Sequence, residues 1–234
     1  MKKIIFSIIL MLCFGFNANA EKGINAGITL LYGAFDVTGA SEKLAANHSS
    51  GSGSAREVKA SDEGENAEGE FGLGSIFVEK TLGDRLAIGI DYVPMAADSE
   101  TAENKQNVAG SNLPTHTGDS ASTNTVQVEF ENLTTAYAML NLGPIYLKAG
   151  VMTVDVNTKE NLATGGAYGN TSLDGTLLAV GMNRELDNGA FVRLEGTLME
   201  FDGVELTNTA DSTKSVKVDG IDGYGARISI GKSF

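Results

Sequence analysis

Few side chains in this sequence could carry catalysis. A hydrolytic or transfer site needs a general base beside a nucleophile, and histidine is the usual base. The chain has two histidines, His48 and His116, and both fall in long polar stretches. No apolar segment brings a histidine and a serine together, as a lipid-modifying enzyme would require. We therefore expect neither enzymatic activity nor a cofactor.

A run of carboxylates is the second feature that could do chemistry. It comprises Asp62, Glu63, Glu65, Glu68 and Glu70. Hard divalent cations bind several carboxylate oxygens, so one interpretation is a metal site with the first three residues as ligands. The spacing does not match an EF-hand loop, and charge runs commonly form solvated loops. We favour the solvated loop, and a loose calcium contact with anionic phosphates lies between the two interpretations.

Six further charged residues lie within apolar, alternating segments instead of polar loops. Both signs are present, and glycine and other small residues stand between them. On a soluble sheet such residues are solvated, whereas inside a narrow barrel opposite charges must pair because a buried lone charge is costly. We expect a lumenal charge cluster made of Asp91, Glu129, Lys148, Arg193, Glu195 and Arg227.

The segments that hold these charges have apolar side chains at every second position, which is the period of a β-strand. Tight breaks alternate with long polar connections, at 39–68, 96–122, 157–172 and 203–218. This arrangement predicts an antiparallel up-and-down sheet with short turns at one end and long loops at the other. The segments are 24–37, 69–82, 85–95, 123–142, 145–156, 173–186, 190–202 and 219–234.

For two of these segments the sequence does not decide which face looks inwards. Both faces of 69–82 carry apolar residues, so neither can be assigned to the interior. In 131–142 the apolar parity slips relative to 126–130, which a β-bulge would explain. Period two alone also does not say whether the apolar face looks inwards, as in a soluble lipocalin-like barrel, or outwards to lipid.

The first twenty residues form a separate unit. Lys2 and Lys3 precede a short apolar run, and Ala18-Asn19-Ala20 offers small residues for cleavage, as in a secretory signal peptide. We expect residues 1–20 to be removed, together with the only cysteine, Cys13, and 21–234 to form one domain. The chain carries a net charge of −13, which makes nucleic acid an unsuitable partner. No later apolar run is long enough for a transmembrane helix, so a membrane-spanning form would be a closed barrel.

The last segment alternates up to a terminal aromatic residue, and this pattern resembles the assembly signal of outer-membrane β-barrel proteins. The positions that carry the resemblance are Tyr224, Ile228, Ile230 and Phe234. The resemblance implies that the barrel-assembly machinery reads this strand. Lys232 departs from the pattern, which usually has an apolar residue there, although a lysine at a membrane edge can extend to the interface.

The whole layout resembles the small eight-stranded outer-membrane barrels of the OmpA, OmpX and opacity-protein type. The resemblance implies a monomeric transmembrane barrel of a Gram-negative outer membrane, with lipid and lipopolysaccharide as its surroundings. Aromatic girdles would contain Tyr32, Tyr92 and Phe191, with Tyr224 and Phe234.

Three roles are compatible with such a barrel. The first is a structural or surface-interaction role, with the loops 39–68 and 96–122 exposed. The second is a small porin-like channel for polar solutes. The third is the passage of hydrophobic molecules, as in OmpW-like barrels, against which the many inward charges speak.

Overall fold

The computed structural model describes residues 23–43, 57–59, 67–99, 101–107, 121–162 and 165–234. Among these residues, no helix is long and apolar enough to cross a membrane. The strands are β1 (Ile24–Thr38), β2 (Ser41–Lys43), β3 (Glu57–Lys59), β4 (Ala67–Leu82), β5 (Leu86–Tyr92), β6 (Ala97–Asp98), β7 (Ala102–Asn107), β8 (Ala121–Leu142), β9 (Ile145–Leu162), β10 (Thr171–Glu185), β11 (Ala190–Thr207) and β12 (Ser215–Ser233).

The long strands form an antiparallel, up-and-down sheet that closes in a ring. The order is β1-β4-β5-β8-β9-β10-β11-β12, and β12 pairs back onto β1. At the closure Ile28 lies opposite Ile230, and the terminal Phe234 donates its backbone N–H to the carbonyl of Ile24 at 2.8 Å. The short strands lie at the other end, where β2 pairs with β12 and both β6 and β7 pair with β8. The all-β, antiparallel, up-and-down sheet predicted from the sequence is confirmed.

Tight turns define one end of the ring, which we call the lower end. Gly83 and Gly143 in these turns have φ values of 68° and 83°, a conformation that favours glycine. Each turn directly joins two neighbouring strands, β4 to β5 and β8 to β9. The other ends of these strands lie at the opposite, upper end, where the described connections 165–170 and 208–214 are found.

The structure confirms the bulge in β8. The register with β9 shifts between Glu131 and Thr134, and Asn132 adopts a φ of 57°. Below the bulge the inward side chains are odd-numbered, such as Tyr137, whereas above it they are even-numbered, such as Phe130. The extra residue therefore moves the apolar set from one parity to the other without breaking the wall.

The structure also assigns the faces of β4, which the sequence left open. Phe77 and Glu79 are buried inside the ring, at 4% and 1% exposure, while Ile76 and Val78 are exposed on the outside. Both faces of β4 are apolar because its inward face packs aromatic and leucine side chains while its outward face joins an apolar outer surface.

Glycines in the strands make room for inward aromatic rings. Tyr146 lies directly opposite Gly181, and Tyr137 lies opposite Gly89, in the strand registers. A Cβ added at Gly181 would come within 2.3 Å of the Tyr146 ring, so the ring occupies the space above the glycine. The same arrangement recurs for Phe77 with Gly27, Phe191 with Gly231 and Phe201 with Gly175.

Candidate functional site

The lower half of the ring interior contains a network of buried ion pairs. Arg193 donates to both carboxylate oxygens of Glu79, from Nη1 at 2.5 Å and from Nη2 at 2.8 Å. Lys148 Nζ lies 2.5 Å from Glu195. The described partners balance three acids against three bases, and we call them the plug: Glu79, Asp91, Lys148, Arg193, Glu195 and Arg227.

Arg227 joins two parts of the plug. Its guanidinium lies 2.5 Å from Asp91 and 3.5 Å from Glu195. Because Asp91 is on β5 and Arg227 on β12, this contact crosses the bore instead of following the wall. All three residues are at most 5% exposed. The plug is therefore a cross-linked, neutral obstruction of the lower half.

Tyrosine hydroxyls add hydrogen bonds to two carboxylates of the plug. Tyr137 donates to Glu79 at 2.8 Å, and Tyr146 donates to Glu195 at 2.9 Å. Below them, the Arg193 guanidinium lies 4.4 Å from the centre of the Phe191 ring, a cation–π contact. Buried charges need partners, and these aromatic groups add to those that the ion pairs supply. Among the described residues, Arg193 Nε, Glu195 Oε1 and Arg227 Nε are buried without a hydrogen-bond partner.

The structure brings together five of the six residues expected in the lumenal cluster. Glu195 lies directly opposite Arg227 in the register of β11 and β12, as their positions along the segments indicated. Sequence reasoning missed Glu79, because the faces of β4 could not be assigned. One signal could have found it. Phe77 and Glu79 are two residues apart and therefore share one face of β4, in the same way that Phe191 and Arg193 share the inward face of β11.

Glu129 is not part of the plug. The bulge at Asn132 reverses the parity of β8, so Glu129 faces outwards near the upper end. There it accepts a hydrogen bond from Lys159 Nζ at 2.7 Å, and Asp98 contacts the same ammonium at 3.0 Å. The expectation of a lumenal Glu129 was wrong because it carried one parity through the bulge.

Phe191 is also misplaced by the sequence interpretation. It is 2% exposed and packs against Phe77 inside the ring, with centroids 6.2 Å apart, instead of in an outer girdle. Phe191 shares the parity of Arg193, so the two could not face opposite sides of one regular strand. The remaining girdle candidates lie outside: Tyr32, Tyr92, Tyr224 and Phe234.

The candidate metal ligands and both histidines lie outside the described residues: Asp62, Glu63, Glu65, His48 and His116. Glu70, at the end of that acidic run, accepts a hydrogen bond from the Tyr32 hydroxyl at 2.7 Å. Within the described ranges, no group of three or more His, Cys, Asp or Glu side chains is arranged to hold a metal ion.

Above the plug, the interior changes from charged to apolar. Leu177 is 1% exposed and packs with Met152 and Met199. Higher still, Val154, Val156 and Leu173 form a second buried group. We call this apolar upper half the chamber, lined by Leu31, Leu73, Leu133, Met152, Leu177 and Met199.

The wall beside the chamber is interrupted between β4 and β5. Their pairing ends at Ile76 and Tyr92, although β4 continues upwards to Ala67. After Tyr92 the chain stays with β8, since Val93 donates its N–H to Leu133 at 2.9 Å. In the described part of the chain, no backbone hydrogen bond joins 67–75 to 93–99. We call this break the seam.

The seam has little side-chain cover. Gly72 and Gly74 lie on the outward face of its β4 edge, level with Tyr32 and Leu30 in the register with β1. A Cβ added at Gly72 would meet nothing within 4 Å, and one at Gly74 would meet only Met95 and Leu30. Across the seam, Pro94 has no backbone N–H to offer.

A small cavity lies between the plug and the seam. Ser75 and Val93 border it on the seam side, and Asp91 and Arg227 form its floor. It holds about 10 Å³ of solvent-accessible volume, at the lower bound for a single water. The chamber residues Leu31, Leu133 and Met152 line the same cavity, so the seam and the chamber meet at this water-sized space.

The outside of the ring carries a continuous belt of exposed apolar side chains. Leu30, Val151 and Leu198 are 63–65% exposed, values that are unusual for so many large apolar residues at once. The belt occurs on all the ring strands, for example at Ile28, Ile76, Ile88, Leu140, Leu147, Leu178, Leu194 and Ile228. The ring thus presents its apolar face outwards and its charges inwards.

The sequence matches no protein-family model and no curated protein. Among solved structures, the chain is similar to the outer membrane protein OprG from Pseudomonas aeruginosa, with 12% identity, 93% of this chain and 99% of that chain covered, and a TM-score of 0.48. It is similar to the outer membrane protein AlkL in lipid bilayers, at 12% identity, 94% and 93% coverage and a TM-score of 0.43. It is also similar to Ail, the attachment invasion locus protein of Yersinia pestis, at 8% identity, 88% and 99% coverage and a TM-score of 0.38. At these identities and TM-scores the likeness assigns neither a family nor a role to this chain.

Proposed function

We propose that the chain is an eight-stranded β-barrel of a bacterial outer membrane. The belt of exposed apolar side chains supports this, because water would oppose such a surface whereas hydrocarbon favours it. Closure of β12 onto β1 gives each edge strand a partner, which a bilayer requires. The outward tyrosines Tyr32 and Tyr92 fit an interfacial girdle.

The axis of this barrel is closed to ions. The plug crosses the bore, and an eight-stranded barrel is just wide enough to be filled by its own side chains. A charge-balanced cluster, in which each charged side chain has an ion-pair partner, also offers no net charge to attract a permeating ion. We expect the refolded chain to give no steady current in a planar bilayer, which would argue against the porin-like role.

The function that the geometry supports best is the sideways passage of small apolar molecules between the chamber and the outer membrane. The observation that carries it is the seam, an unpaired strand edge at the level of the apolar belt. Unpaired backbone at membrane depth is tolerated only where it lines a cavity or is buried in protein. Here it lies beside an apolar chamber whose methionines can adapt to a guest.

A reversible crosslink across the seam tests this function. The Gly74→Cys, Met95→Cys double variant places one cysteine on each side of the seam. A Cβ at Gly74 would lie 3.4 Å from the Sδ atom of Met95. Uptake of N-phenyl-1-naphthylamine, a small apolar dye, is measured in a Gram-negative host that carries the full chain. We expect the oxidised variant to lower uptake to that of cells without the protein, and a reductant to restore it.

The matched control is the Gly196→Cys, Ala226→Cys double variant. These residues are directly opposite each other on the outer face of β11 and β12, which are already paired. A disulfide there leaves the seam open and should leave uptake unchanged. Equal uptake by the oxidised seam variant and the native chain would overturn the passage function.

A structural or surface-interaction role is the second candidate. It is favoured by the chamber being filled with its own side chains, since Leu177 and Met152 are at most 3% exposed. Native protein that is folded, as judged by its changed mobility after boiling in SDS, yet adds no dye uptake and no current, would select this role.

A further inference from the structure

The upper wall has a second gap, where β10 ends below its neighbours. The uppermost residue of β10 that pairs with β9 is Thr171, which lies opposite Val156. Beyond that level β9 continues to Leu162, and β11 continues to Thr207. No strand separates β9 from β11 there, within the ranges that the structure describes.

Residues 165–170, between β9 and β10, lie in this gap and are tied to β9. Glu160 Oε1 accepts hydrogen bonds from the backbone N–H groups of Tyr168 and Gly169, at 2.8 and 3.2 Å. Thr158 Oγ1 donates to the carbonyl of Gly169 at 2.7 Å. These bonds hold the segment 165–170 against the upper end of β9.

The same segment is tied on its other side to the connection between β11 and β12. Asn208 is 3% exposed and donates from Nδ2 to the carbonyl of Gly165 at 3.3 Å. Thr209 exchanges two bonds with Ala167: its N–H donates to the Ala167 carbonyl at 2.8 Å, and the Ala167 N–H donates to its hydroxyl at 3.0 Å. We call these contacts of Asn208 and Thr209 the latch.

With the latch in place, the upper wall is joined from strand to strand over most of its circumference. On one side β11 pairs with β12, β12 with β2 and β2 with β3. On the other side β9 pairs with β8 and β8 with β7. In the ring order the latch stands across from the seam, so the two breaks in strand pairing differ: one is bridged by a loop, and the other is not.

We propose that the latch is a fixed closure of the upper wall that leaves the seam side as the route for apolar molecules to reach the chamber. The role of the latch in directing apolar molecules rests on the proposed passage function. The contacts that form the latch do not depend on that function. Asn208 is suited to the task because its amide satisfies both connections at once: its Oδ1 also accepts the N–H groups of Ala210 and Asp211, at 2.9 and 3.1 Å. Replacing it removes a buried partner from several backbone groups.

The test combines two measurements on the full chain. Amide hydrogen exchange of Ala167 and Thr209 reports directly on the latch, and dye uptake reports on the route. We expect Asn208→Ala to speed exchange at both amides, and Ser212→Ala, in the same connection, to leave them unchanged. In protein whose seam is locked by the oxidised Gly74→Cys, Met95→Cys pair, we expect Asn208→Ala to restore the dye uptake that the lock abolished.

Two results would overturn the inference. Unchanged exchange in Asn208→Ala would show that the loop wall does not depend on this residue. Faster exchange with uptake still at the level of cells without the protein would show that the latch closes no route. If instead the seam lock alone leaves uptake at the native level, the passage function fails, while the exchange measurement still decides whether Asn208 fixes the wall.

Discussion

The lower and upper halves of the lumen are built on opposite principles. In the lower half, charged groups cross the bore and are paired, and rings of Tyr137 and Tyr146 rest on glycines of the next strand. In the upper half, the contacts are apolar, two methionines line the chamber, and the edge of 67–75 that faces the seam pairs with no strand in the described part of the chain. We infer that the two halves have different roles. The ion pairs of the plug fix and close the base of the barrel, whereas the apolar side chains of the chamber can change their packing.

The largest effect is expected from breaking the plug. Arg193→Met leaves Glu79 buried without its bidentate partner, and removing one member of a buried pair costs about 3–5 kcal/mol. The free energy of unfolding, measured with urea in lipid vesicles, should fall by this amount. The Glu79→Gln, Arg193→Met double variant removes both charges and should recover part of the loss. A double variant no more stable than Arg193→Met would contradict the buried pair.

A change in the chamber should separate stability from passage. Leu177→Ala deletes a fully buried side chain, and such substitutions cost about 2–5 kcal/mol. Dye uptake should rise as the chamber widens, whereas plug variants should lower stability alone. A fall in both quantities would remove the distinction between the halves.

The glycines offer a smaller, matched pair of changes. Gly181→Ala places a methyl group against the Tyr146 ring, and overpacking of this kind costs about 1–3 kcal/mol. Gly72→Ala, on the seam edge, meets open space and should leave the unfolding free energy unchanged or slightly higher. Urea unfolding of the two variants side by side checks this, and equal losses would show that Gly72 is enclosed.

The smallest effect is expected at the upper outer face. The Lys159 ammonium donates hydrogen bonds to Glu129 and to Asp98. These bonds, the one to Glu129 most, raise the pKa of Lys159 above the ordinary lysine value. A raised pKa means that the contribution to stability is complete at neutral pH and is lost as the pH rises through that raised value. Lys159→Met should remove the alkaline part of the pH dependence with little change at neutral pH, because exposed ion pairs contribute weakly. Thermal unfolding between neutral and alkaline pH provides the measurement.

The sequence predicted most of the ring because alternation and turn chemistry are local. Gly83 and Gly143 marked tight turns, and the structure places both in turns with positive φ at one end of the ring. Inward charges such as Arg193 and Arg227 could be recognised because apolar residues flank each of them on the opposite face, for example Leu194 and Ile228.

The features that the sequence could not predict depend on how neighbouring strands pair. One extra residue at Asn132 reversed the face of Glu129, and no local pattern gives the position of that residue. The apolar chamber was missed in part because the faces of β4 could not be assigned, so inward residues such as Leu73 were indistinguishable from outward ones. The seam was missed because β5 and the segment after it read as one strand-like run, 85–95, and only the partner choice of Val93 separates them.

The central claim is that the β4 edge is unpaired beside the chamber, and amide hydrogen exchange in lipid nanodiscs tests it most directly. Exchange reports the opening of each backbone hydrogen bond separately. We expect the amides of 67–75 that face the seam to exchange rapidly, and the amides of 76–82 that face β5 to be protected. Equal protection along both stretches would show that the wall is closed there, and the sideways route would have no basis.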